Sequence, residues 1–202
     1  LEKVEGIERF RISSIEPNLL SNDIIDFVAS SKKFVNHFHI PLQAGSNKVL
    51  KLMKRRYDRE LFAQRIEKIK TLLPDAFIGV DVIAGSRGER EEDFNEAYKF
   101  INELPISQLH VFPYSERQGT NALEIKESVP VQERKQRAKM LQILSGKKLR
   151  AFYQDHLNQE TEVLFEGYND HGKMYGFTEN YIKVEIPYNL NLSNQLAMVN
   201  LK

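Results

Sequence analysis

In the first part of the chain, short stretches of alternating apolar and polar residues take turns with stretches whose apolar residues recur at helical spacing. This strand-and-helix pattern occurs four times, and it constrains the fold most strongly. Side chains of a strand alternate between two faces, so a short alternating run predicts a strand. The predicted strands cover residues 8–15, 37–43, 76–84 and 107–114. The predicted helices cover residues 23–34, 47–55, 59–73 and 91–104. Strands that alternate with helices form parallel sheets with crossover connections, so the predicted fold class is α/β.

One face of each predicted strand is apolar and the other is polar. In the second strand Phe38 and Ile40 share one face, whereas His39 and Gln43 share the other. The polar faces of the four strands carry Arg11, Ser13, His37, His39, Gln43, Asp81 and His110. Strands buried on both faces are usually continuous apolar runs, so a curved sheet around a wet lumen fits better. We therefore predict a partial (β/α) TIM-like barrel with its chemistry at the carboxyl ends of the strands.

A tight turn connects the second strand to the helix after it. Gly45 permits a sharp reversal, and the hydroxyl of Ser46 is predicted to cap the helix. A polar strand face that leads into a helix N-terminus suits an anionic or hydroxyl-bearing ligand. The alternative for this strand alone is a buried strand whose histidines bond to neighbouring backbone.

A basic helix is predicted over residues 131–157, with Gly146 as a candidate break. Four short strands with turn residues between them follow, and they predict a small antiparallel β-barrel. The predicted domains are a partial β/α barrel at 1–130, a basic linking helix at 131–157 and a small β-barrel at 158–202.

Composition narrows the classes of protein and partner. The chain has no cysteine, so it contributes no disulfide, thiolate ligand or cysteine nucleophile, and a cytoplasmic location is expected. No apolar run approaches the roughly 20 residues of a membrane span, so no membrane partner is expected. The chain begins at Leu1 and enters a predicted strand almost at once. We therefore expect part of a longer protein, whose unpaired strand edges favour self-association.

Cationic side chains concentrate in residues 48–70 and 134–150. Phosphate binding depends on positioned Lys and Arg, so these stretches are candidate RNA surfaces. The predicted RNA-binding residues are Lys48, Arg56, Arg134, Arg137, Lys147 and Lys148. Residues 157–202 hold three lysines against six carboxylates, and their aromatic side chains either stack on unpaired bases or form a core. An equal alternative for both cationic stretches is a solvated helix face.

Metal and acid–base chemistry have weaker support. His37, His39 and His110 share the polar face, but no carboxylate lies at ligand spacing, so no metal site is predicted. Asp81 is either a general base or an anchor for Arg11 across the lumen. No catalytic residue is assigned.

Two motifs resemble the radical S-adenosylmethionine tRNA methylthiotransferases. Residues 39–46 (HIPLQAGS), with Met53, Arg55 and Tyr57, are similar to the family segment H-x-P-x-Q-S-G-S…M-x-R-x-Y. Residues 81–94 (DVIAGSRGEREEDF) are similar to D-x-I-V-G-F-P-G-E-T-x-E-D-F. The chain departs from the family at Ala44, where serine is usual, and at Ser86-Arg87, where Phe-Pro is usual.

Three further segments strengthen this resemblance. Residues 110–122 look like the final barrel strand and its loop, and residues 176–182 resemble the TRAM domain, a small RNA-binding barrel. Residues 11–17 (RISSIEP) look most like the branch that acts on threonylcarbamoyladenosine. The resemblance therefore implies the last four strands of a radical SAM barrel followed by a TRAM-like domain.

The resemblance also implies an activity. The whole enzyme adds a methylthio group to C2 of N6-threonylcarbamoyladenosine beside the tRNA anticodon, using S-adenosylmethionine and two 4Fe–4S clusters. Cluster ligands are thiolates, which this chain lacks, so the fragment alone is expected to be inactive. The alternatives are the isopentenyladenosine branch, a sibling that modifies a ribosomal protein, and a noncatalytic RNA-binding module. A cofactor-independent β/α enzyme needs a complete acid–base site, which the sequence does not show.

Site residues follow from the resemblance. The turn at 43–46 and the strand end at 83–85 border the ribose and adenine of S-adenosylmethionine, and Arg55 faces the methionine carboxylate. The implied cofactor-binding residues are Ser13, Glu16, Gln43, Gly45, Ser46, Arg55, Ile83 and Gly85. The implied RNA partner is the tRNA anticodon stem-loop.

Overall fold

A computed structural model describes all residues, Leu1 to Lys202, as two β-sheets joined by one long helix. The first part of the chain contains β1 (Phe10–Ile12), α1 (Asn22–Ser30), β2 (Phe34–His39), α2 (Asn47–Leu52), α3 (Arg59–Leu72), β3 (Phe77–Ala84), α4 (Glu91–Glu103) and β4 (Gln108–Pro113). The long helix is α5 (Val131–Asp155), and it precedes β5 (Glu160–Phe165), β6 (Lys173–Thr178), β7 (Lys183–Pro187) and β8 (Leu196–Asn200). Short 3-10 helices cover Asn121–Glu124 and Leu190–Leu192.

The first sheet is parallel, with its strands in the order β1-β2-β3-β4. Phe38, Ile40 and Val80 are fully buried in the core that the sheet forms with its helices. His39 and Asp81 alternate with these residues and lie on the opposite, partly exposed face. The predicted α/β class and the polar inner face are confirmed.

Side-chain caps begin two of the helices as the sequence predicts. The Ser21 hydroxyl accepts a hydrogen bond from the Ile24 amide at 3.3 Å, and Asp58 Oδ1 accepts one from the Leu61 amide at 2.8 Å. Ser46 occupies the N-cap position of α2, but its hydroxyl accepts no capping bond and is buried without a partner. The predicted capping role of Ser46 is therefore wrong.

β2 lies earlier in the sequence than predicted, because it begins at Phe34 and ends at His39. Proline at position 41 has no amide hydrogen to give to the ladder. The chain nevertheless rejoins the sheet at Gln43, whose amide donates to the Asp81 carbonyl oxygen at 2.9 Å. The Gln43 carbonyl oxygen in turn accepts from the Ile83 amide at 2.9 Å. The alternation over 37–43 therefore describes a strand followed by one separate bridge.

α5 runs without interruption through Gly146, so the predicted break is wrong. Glycine costs only about 1 kcal/mol relative to alanine inside a helix. Packing of α5 at both ends offsets that cost, because Leu141 and Leu144 lie in the core of the first sheet and Phe152 lies in the core of the second.

The second sheet is antiparallel, with its strands in the order β7-β6-β5-β8, and it curls around its own core. Val163, Phe165 and Met174 are fully buried there. The end strands β7 and β8 are not hydrogen-bonded to each other. A small antiparallel unit is therefore present as predicted, as a curled sheet without the closing pair of strands that a barrel needs.

The second sheet covers the amino ends of the first sheet's strands. Phe77, at the start of β3, packs edge-on against Phe152 of α5 with ring centroids 5.3 Å apart. Tyr181 contacts Phe77 and His37, and the Arg11 guanidinium lies 4.1 Å from the centre of its ring. The carboxyl ends of the strands stay uncovered by this contact. None of the helices combines the length and apolar character that a membrane span requires.

Candidate functional site

A groove opens at the carboxyl ends of β2, β3 and β4, where β/α barrels hold their chemistry. We call it the rim groove, and it is lined by Gln43, Arg55, Asp81, Ile83, Phe112, Pro113, Tyr114, Ser115, Arg117, Thr120 and Ala122. The lining combines guanidinium, carboxylate, amide and hydroxyl groups with two aromatic rings. This mixture suits a ligand that carries both anionic and hydrogen-bonding groups.

The turn after β2 brings Gln43 to the rim groove. Its φ of 66° is in the left-handed region, and its two backbone bonds to β3 hold that conformation in place. Gly45 lies behind the turn, where an added Cβ would sit 2.8 Å from the Ala97 Cα of α4. Gly45 is therefore required for close packing of the turn on α4 and is buried beneath the groove.

Arg55 reaches the rim groove from the loop after α2. Its Nη1 donates to Glu16 Oε1 at 2.8 Å, whereas its Nε is buried without a partner. The neighbouring Tyr57 hydroxyl donates to the Pro41 carbonyl oxygen at 3.0 Å, which fixes this loop to the end of β2. Burial raises the pKa of Tyr57 to about 12, so the hydroxyl stays a neutral donor. The Arg55 fork is thus oriented by a carboxylate and keeps donors for an anionic ligand.

Asp81 lines the rim groove and pairs with one of two histidines that are stacked on each other. His39 Nε2 lies 2.8 Å from Asp81 Oδ1, and the His39 ring stacks on His110 with centroids 5.1 Å apart. Burial lowers the pKa of His110, with the nearby His39 acting in the same direction, so its ring stays neutral at pH 7. The His39 imidazole, 2.8 Å from the Asp81 carboxylate, orients that carboxylate.

The structure excludes one of the two interpretations of Asp81 and leaves the general base as a prediction. Arg11 packs over Tyr181 instead of reaching Asp81, so the predicted anchoring pair is wrong. His37 also lies apart from the other histidines, against Phe77 and Tyr181. Its Nδ1 has no partner, and burial, together with the charge of Arg11, lowers its pKa to about 4.

The loop after β3 is held in place by side chains of α5. Gly85 has a φ of 78°, and an added Cβ there would lie 2.5 Å from Arg134 Cγ. Its amide donates to Glu89 Oε1 at 3.0 Å, and the same oxygen accepts from Arg137 Nη1 at 2.5 Å. Burial raises the pKa of Glu89, and the bond from Arg137 opposes that effect. Gly85 and Glu89 therefore seat the loop against α5.

Arg134 ties the opposite side of the rim groove to the same helix. Its Nε donates to the Val129 carbonyl oxygen at 2.7 Å, and its Nη2 donates to Glu116 Oε1 at 3.1 Å. Glu116 also pairs with Arg87 at 2.9 Å. These two guanidinium groups, Arg87 foremost, lower the pKa of Glu116 and keep it ionised. The loop after β4 is thereby held at the groove's edge.

The structure separates the predicted cofactor-binding residues into three groups. Gln43, Arg55 and Ile83 line the rim groove, and Glu16 meets it through Arg55. The residues buried beneath the groove are Gly45, Ser46 and Gly85. Ser13 is exposed beyond β1 and lies outside the groove lining. Arg117 and Thr120 also line the groove, although they were not assigned to it from sequence. Their position in the loop after the fourth strand could have indicated this role.

The predicted RNA-binding residues also divide. Arg56 and Lys147 are exposed, and Lys48 pairs with Asp93 at 2.5 Å. Arg134 and Arg137 are buried with 7% and 5% of their surface exposed. Both guanidinium groups are engaged inside the protein, so we no longer assign them to RNA.

Lys148 belongs with the structural cations as well. Its Nζ donates to the carbonyl oxygens of Asn102 and Leu104 at 3.0 and 2.7 Å, at the C-terminus of α4. Burial lowers the pKa of this ammonium group. Lys148 therefore serves as the C-terminal cap of α4.

Comparison with known sequences identifies the first half of the chain. The model of the "Radical SAM superfamily" matches residues 1–101. The threonylcarbamoyladenosine tRNA methylthiotransferase MtaB of Bacillus subtilis (strain 168) is 41% identical over 186 residues, covering 90% of this chain and 41% of that protein. The tRNA-2-methylthio-N(6)-dimethylallyladenosine synthase of Pelotomaculum thermopropionicum is 36% identical over 180 residues, covering 89% of this chain and 40% of that protein. The chain thus spans about two fifths of the length of these relatives.

Solved structures agree on the fold. Coproporphyrinogen III oxidase (HemN) from Escherichia coli, described as a radical SAM enzyme, aligns with a TM-score of 0.53 at 19% identity, covering 73% of this chain and 32% of that chain. The Elp3 protein of the archaeon Methanocaldococcus infernus aligns with a TM-score of 0.52 at 15% identity, covering 90% of this chain and 57% of that chain. At these identities the likeness concerns the fold alone.

Proposed function

Because this chain belongs to the radical SAM superfamily, we propose that it is part of a tRNA methylthiotransferase. Its proposed substrate is N6-threonylcarbamoyladenosine beside the anticodon, methylthiolated at C2. The observation that carries this proposal is the 41% identity to the Bacillus subtilis threonylcarbamoyladenosine enzyme over 90% of the chain. The proposed partner is the tRNA anticodon stem-loop, and the proposed location is the cytoplasm, where tRNA is modified.

The rim groove fits S-adenosylmethionine. This cofactor carries a carboxylate, an ammonium group, ribose hydroxyls and an adenine. The unpartnered buried Nε of Arg55 suits the carboxylate, and the Asp81 carboxylate suits a hydroxyl or the ammonium group. When bound next to a 4Fe–4S cluster, S-adenosylmethionine supplies radical chemistry. Because the chain has no cysteine, thiolate ligands for both proposed clusters come from other parts of the enzyme.

The chain's own residues bind and orient in this proposal. Glu16 holds the Arg55 fork towards the groove, and His39 holds the Asp81 carboxylate. Preformed donors and acceptors of this kind lower the cost of ordering the site on binding. Each pair is therefore assigned a positioning role within the cofactor site.

The second sheet is proposed to be a TRAM-like RNA-binding unit. Its size, antiparallel order and curl are those expected of a small β-barrel that lacks the closing pair of strands. Tyr168 is 70% exposed on its surface and offers a free aromatic face for an unpaired base. A noncatalytic RNA-binding role for the chain by itself rests on this same feature.

A second candidate substrate is dimethylallyladenosine, also called isopentenyladenosine. Several relatives named tRNA-2-methylthio-N(6)-dimethylallyladenosine synthase are 33–36% identical, and two of them match 98% of this chain. The higher identity to the threonylcarbamoyladenosine enzymes favours the first candidate.

One assay separates these candidates. The full-length protein that contains this chain, with clusters reconstituted, is incubated with S-adenosylmethionine and tRNA bearing either modified adenosine, and the nucleosides are analysed by mass spectrometry. We expect the methylthio product only from threonylcarbamoyladenosine. Product from isopentenyladenosine alone would replace the first candidate with the second. Binding of both tRNAs without any product would leave the noncatalytic role.

The Arg55→Ala variant tests the cofactor site. We expect S-adenosylmethionine affinity to fall about 10- to 100-fold, since a charge-assisted hydrogen bond contributes about 1.5–3 kcal/mol. Calorimetric titration of the cluster-loaded protein measures this, with cluster content checked by absorbance. The exposed neighbour Arg56 is the matched control, and Arg56→Ala should bind the cofactor normally. Equal affinity in both variants would exclude the assigned role of Arg55.

A further inference from the structure

α5 carries two sets of cations with different surroundings. The inner set comprises Arg134, Arg137 and Lys148, whose donors bond to protein oxygens. The outer set is exposed and forms no ion pair within the chain, and it consists of Lys135, Lys139, Lys147 and Arg150. We call the outer set, together with the apolar side chains among it, the α5 ridge. Only the outer set is free for an external ligand.

Helical geometry places the outer cations on one side of α5. At about 100° per residue they fall within an arc of about 120°, opposite the buried side chains of Ala138, Leu141 and Phe152. From Lys135 to Arg150 the ridge extends about 22 Å along the axis. The nearby carboxylate of Glu133 pairs with Arg137. No carboxylate of α5 lies between the first and the last cation of the ridge.

The ridge also exposes apolar side chains. Met140 and Ile143 are 39% and 51% exposed and lie among the cations. The ridge therefore combines positive charge with apolar surface. RNA presents phosphates beside ribose and base edges, so cations with interspersed apolar groups match its surface.

The ridge joins the two places where RNA is expected. At one end, Lys135 follows Arg134, which contacts Gly85 and the loop at the edge of the rim groove. At the other end, Arg150 is two residues before Phe152, whose ring packs in the core of the second sheet on the opposite side of α5. The ridge therefore runs lengthwise between the groove and the second sheet, on the outer side of α5.

We propose that the α5 ridge binds the phosphate backbone of RNA. The identity of that RNA as the stem of the substrate tRNA rests on the proposed function. The contact is electrostatic and independent of sequence, because flexible Lys and Arg side chains on an open helix face recognise phosphate charge. The ridge takes no part in the chemistry.

A charge-matched pair of double variants tests the proposal on the 202-residue chain. Lys135→Ala/Lys139→Ala removes two ridge cations. Lys3→Ala/Lys32→Ala removes two cations from elsewhere: both lysines are exposed, precede β2 and lie outside the two candidate RNA stretches. Both variants carry the same net charge, and circular dichroism melts verify that both fold. Fluorescence anisotropy measures binding of a labelled anticodon stem-loop RNA at increasing KCl.

We expect the ridge variant to bind RNA at least tenfold more weakly at low salt than the control variant. The slope of log K against log[KCl] should become shallower by about 0.7–0.9 for each phosphate that the variant no longer neutralises. Equal weakening in both variants, or an unchanged slope in the ridge variant, would overturn the proposal. Tighter binding of the wild-type chain to phosphatidylserine vesicles than to RNA would also overturn it, in favour of a membrane surface.

Failure of the proposed function is distinguishable from failure of the ridge. In the full-length protein, the ridge variant should raise KM for tRNA and leave kcat at saturating tRNA unchanged. RNA binding that depends on the ridge, without methylthiolation of any tRNA, would refute the function and leave the ridge intact. Normal methylthiolation with an unchanged KM would refute the ridge alone.

Discussion

Individual residues shape the rim groove through backbone strain and close packing. Gln43 and Gly85 both have left-handed φ angles, and both sit where a strand passes into a loop at the groove. Gly85 has a second constraint, because Arg134 occupies the space of a side chain. Alternation in the sequence predicted the polar and apolar faces of β2 and β3 correctly. It carries no information on φ, so these two left-handed positions could not be predicted from it.

The Gly85→Ala variant should lose stability from both causes, and Gly119→Ala isolates one of them. Gly119 has a similar φ of 77° but no neighbour within 4 Å of an added Cβ. We expect Gly119→Ala to cost about 1 kcal/mol from backbone strain, and Gly85→Ala to cost at least about 2 kcal/mol because Arg134 must also move. Urea unfolding measures both. Equal losses would show that α5 does not constrain the loop.

Burial of His37 makes stability depend on pH. Its folded pKa of about 4 lies below the ordinary value of 6.5, so its neutral form is favoured by folding. Stability is complete above pH 6.5 and falls as pH drops towards 4, because only the unfolded chain then takes up the proton. The full effect is about 3 kcal/mol.

The His37→Phe variant should therefore flatten the stability profile between pH 6.5 and 4, because it keeps the ring against Phe77 but cannot bind a proton. Unfolding free energies across this pH range measure the effect. His171 is 99% exposed at its side chain, so His171→Phe should retain the wild-type profile. A wild-type profile in the His37 variant would contradict the assignment.

Among the elements, α5 shows most clearly what helical periodicity predicts and where charge was misleading. Arg134 precedes Ala138 by four residues and Arg137 precedes Leu141 by four, so helical spacing places both arginines on the buried face. Their charge suggested a surface position instead. Buried carbonyl and carboxylate groups satisfy them, and those partners come from distant loops that periodicity cannot identify.

Neighbouring lysines of α5 should therefore respond in opposite ways. Lys148→Ala removes the cap of α4 and should cost about 1–2 kcal/mol of stability, since carbonyl oxygens then lose a charged donor. Lys147→Ala should change stability by less than about 0.5 kcal/mol because its side chain is exposed. RNA affinity should show the reverse order. Chemical unfolding and anisotropy on both variants check this crossing, and matching results would contradict it.

On the scale of the whole molecule, one side chain from the first sheet is buried in the core of the second, which the sequence pattern does not predict. Phe77 belongs to β3 but is buried in the core of the second sheet. The two units and their order could be predicted, because a helical pattern gives way to short strands at one place in the sequence. How the two units touch could not be predicted, since that contact joins residues far apart in the chain.

This shared side chain predicts cooperative unfolding of the whole chain. The wild-type protein should show one transition by circular dichroism and by tyrosine fluorescence. Phe77→Ala should cost about 3–5 kcal/mol and separate the two probes into two transitions. Phe112 is 54% exposed, so Phe112→Ala should keep a single transition. Two transitions in the wild type would show that the sheets unfold independently.

On the proposed RNA-binding role, the uninterrupted length of α5 also limits which nucleic acids can contact the whole chain. A helix from Val131 to Asp155 is about 37 Å long. It fixes the separation between the mouth of the groove and the curled sheet, because each end is embedded in a different core. A short single-stranded oligonucleotide can occupy one end only, whereas a folded stem with its loop is long enough to meet both. Selection of a structured RNA over a free strand would then follow from the reach of one rigid element, without any base being read along the way.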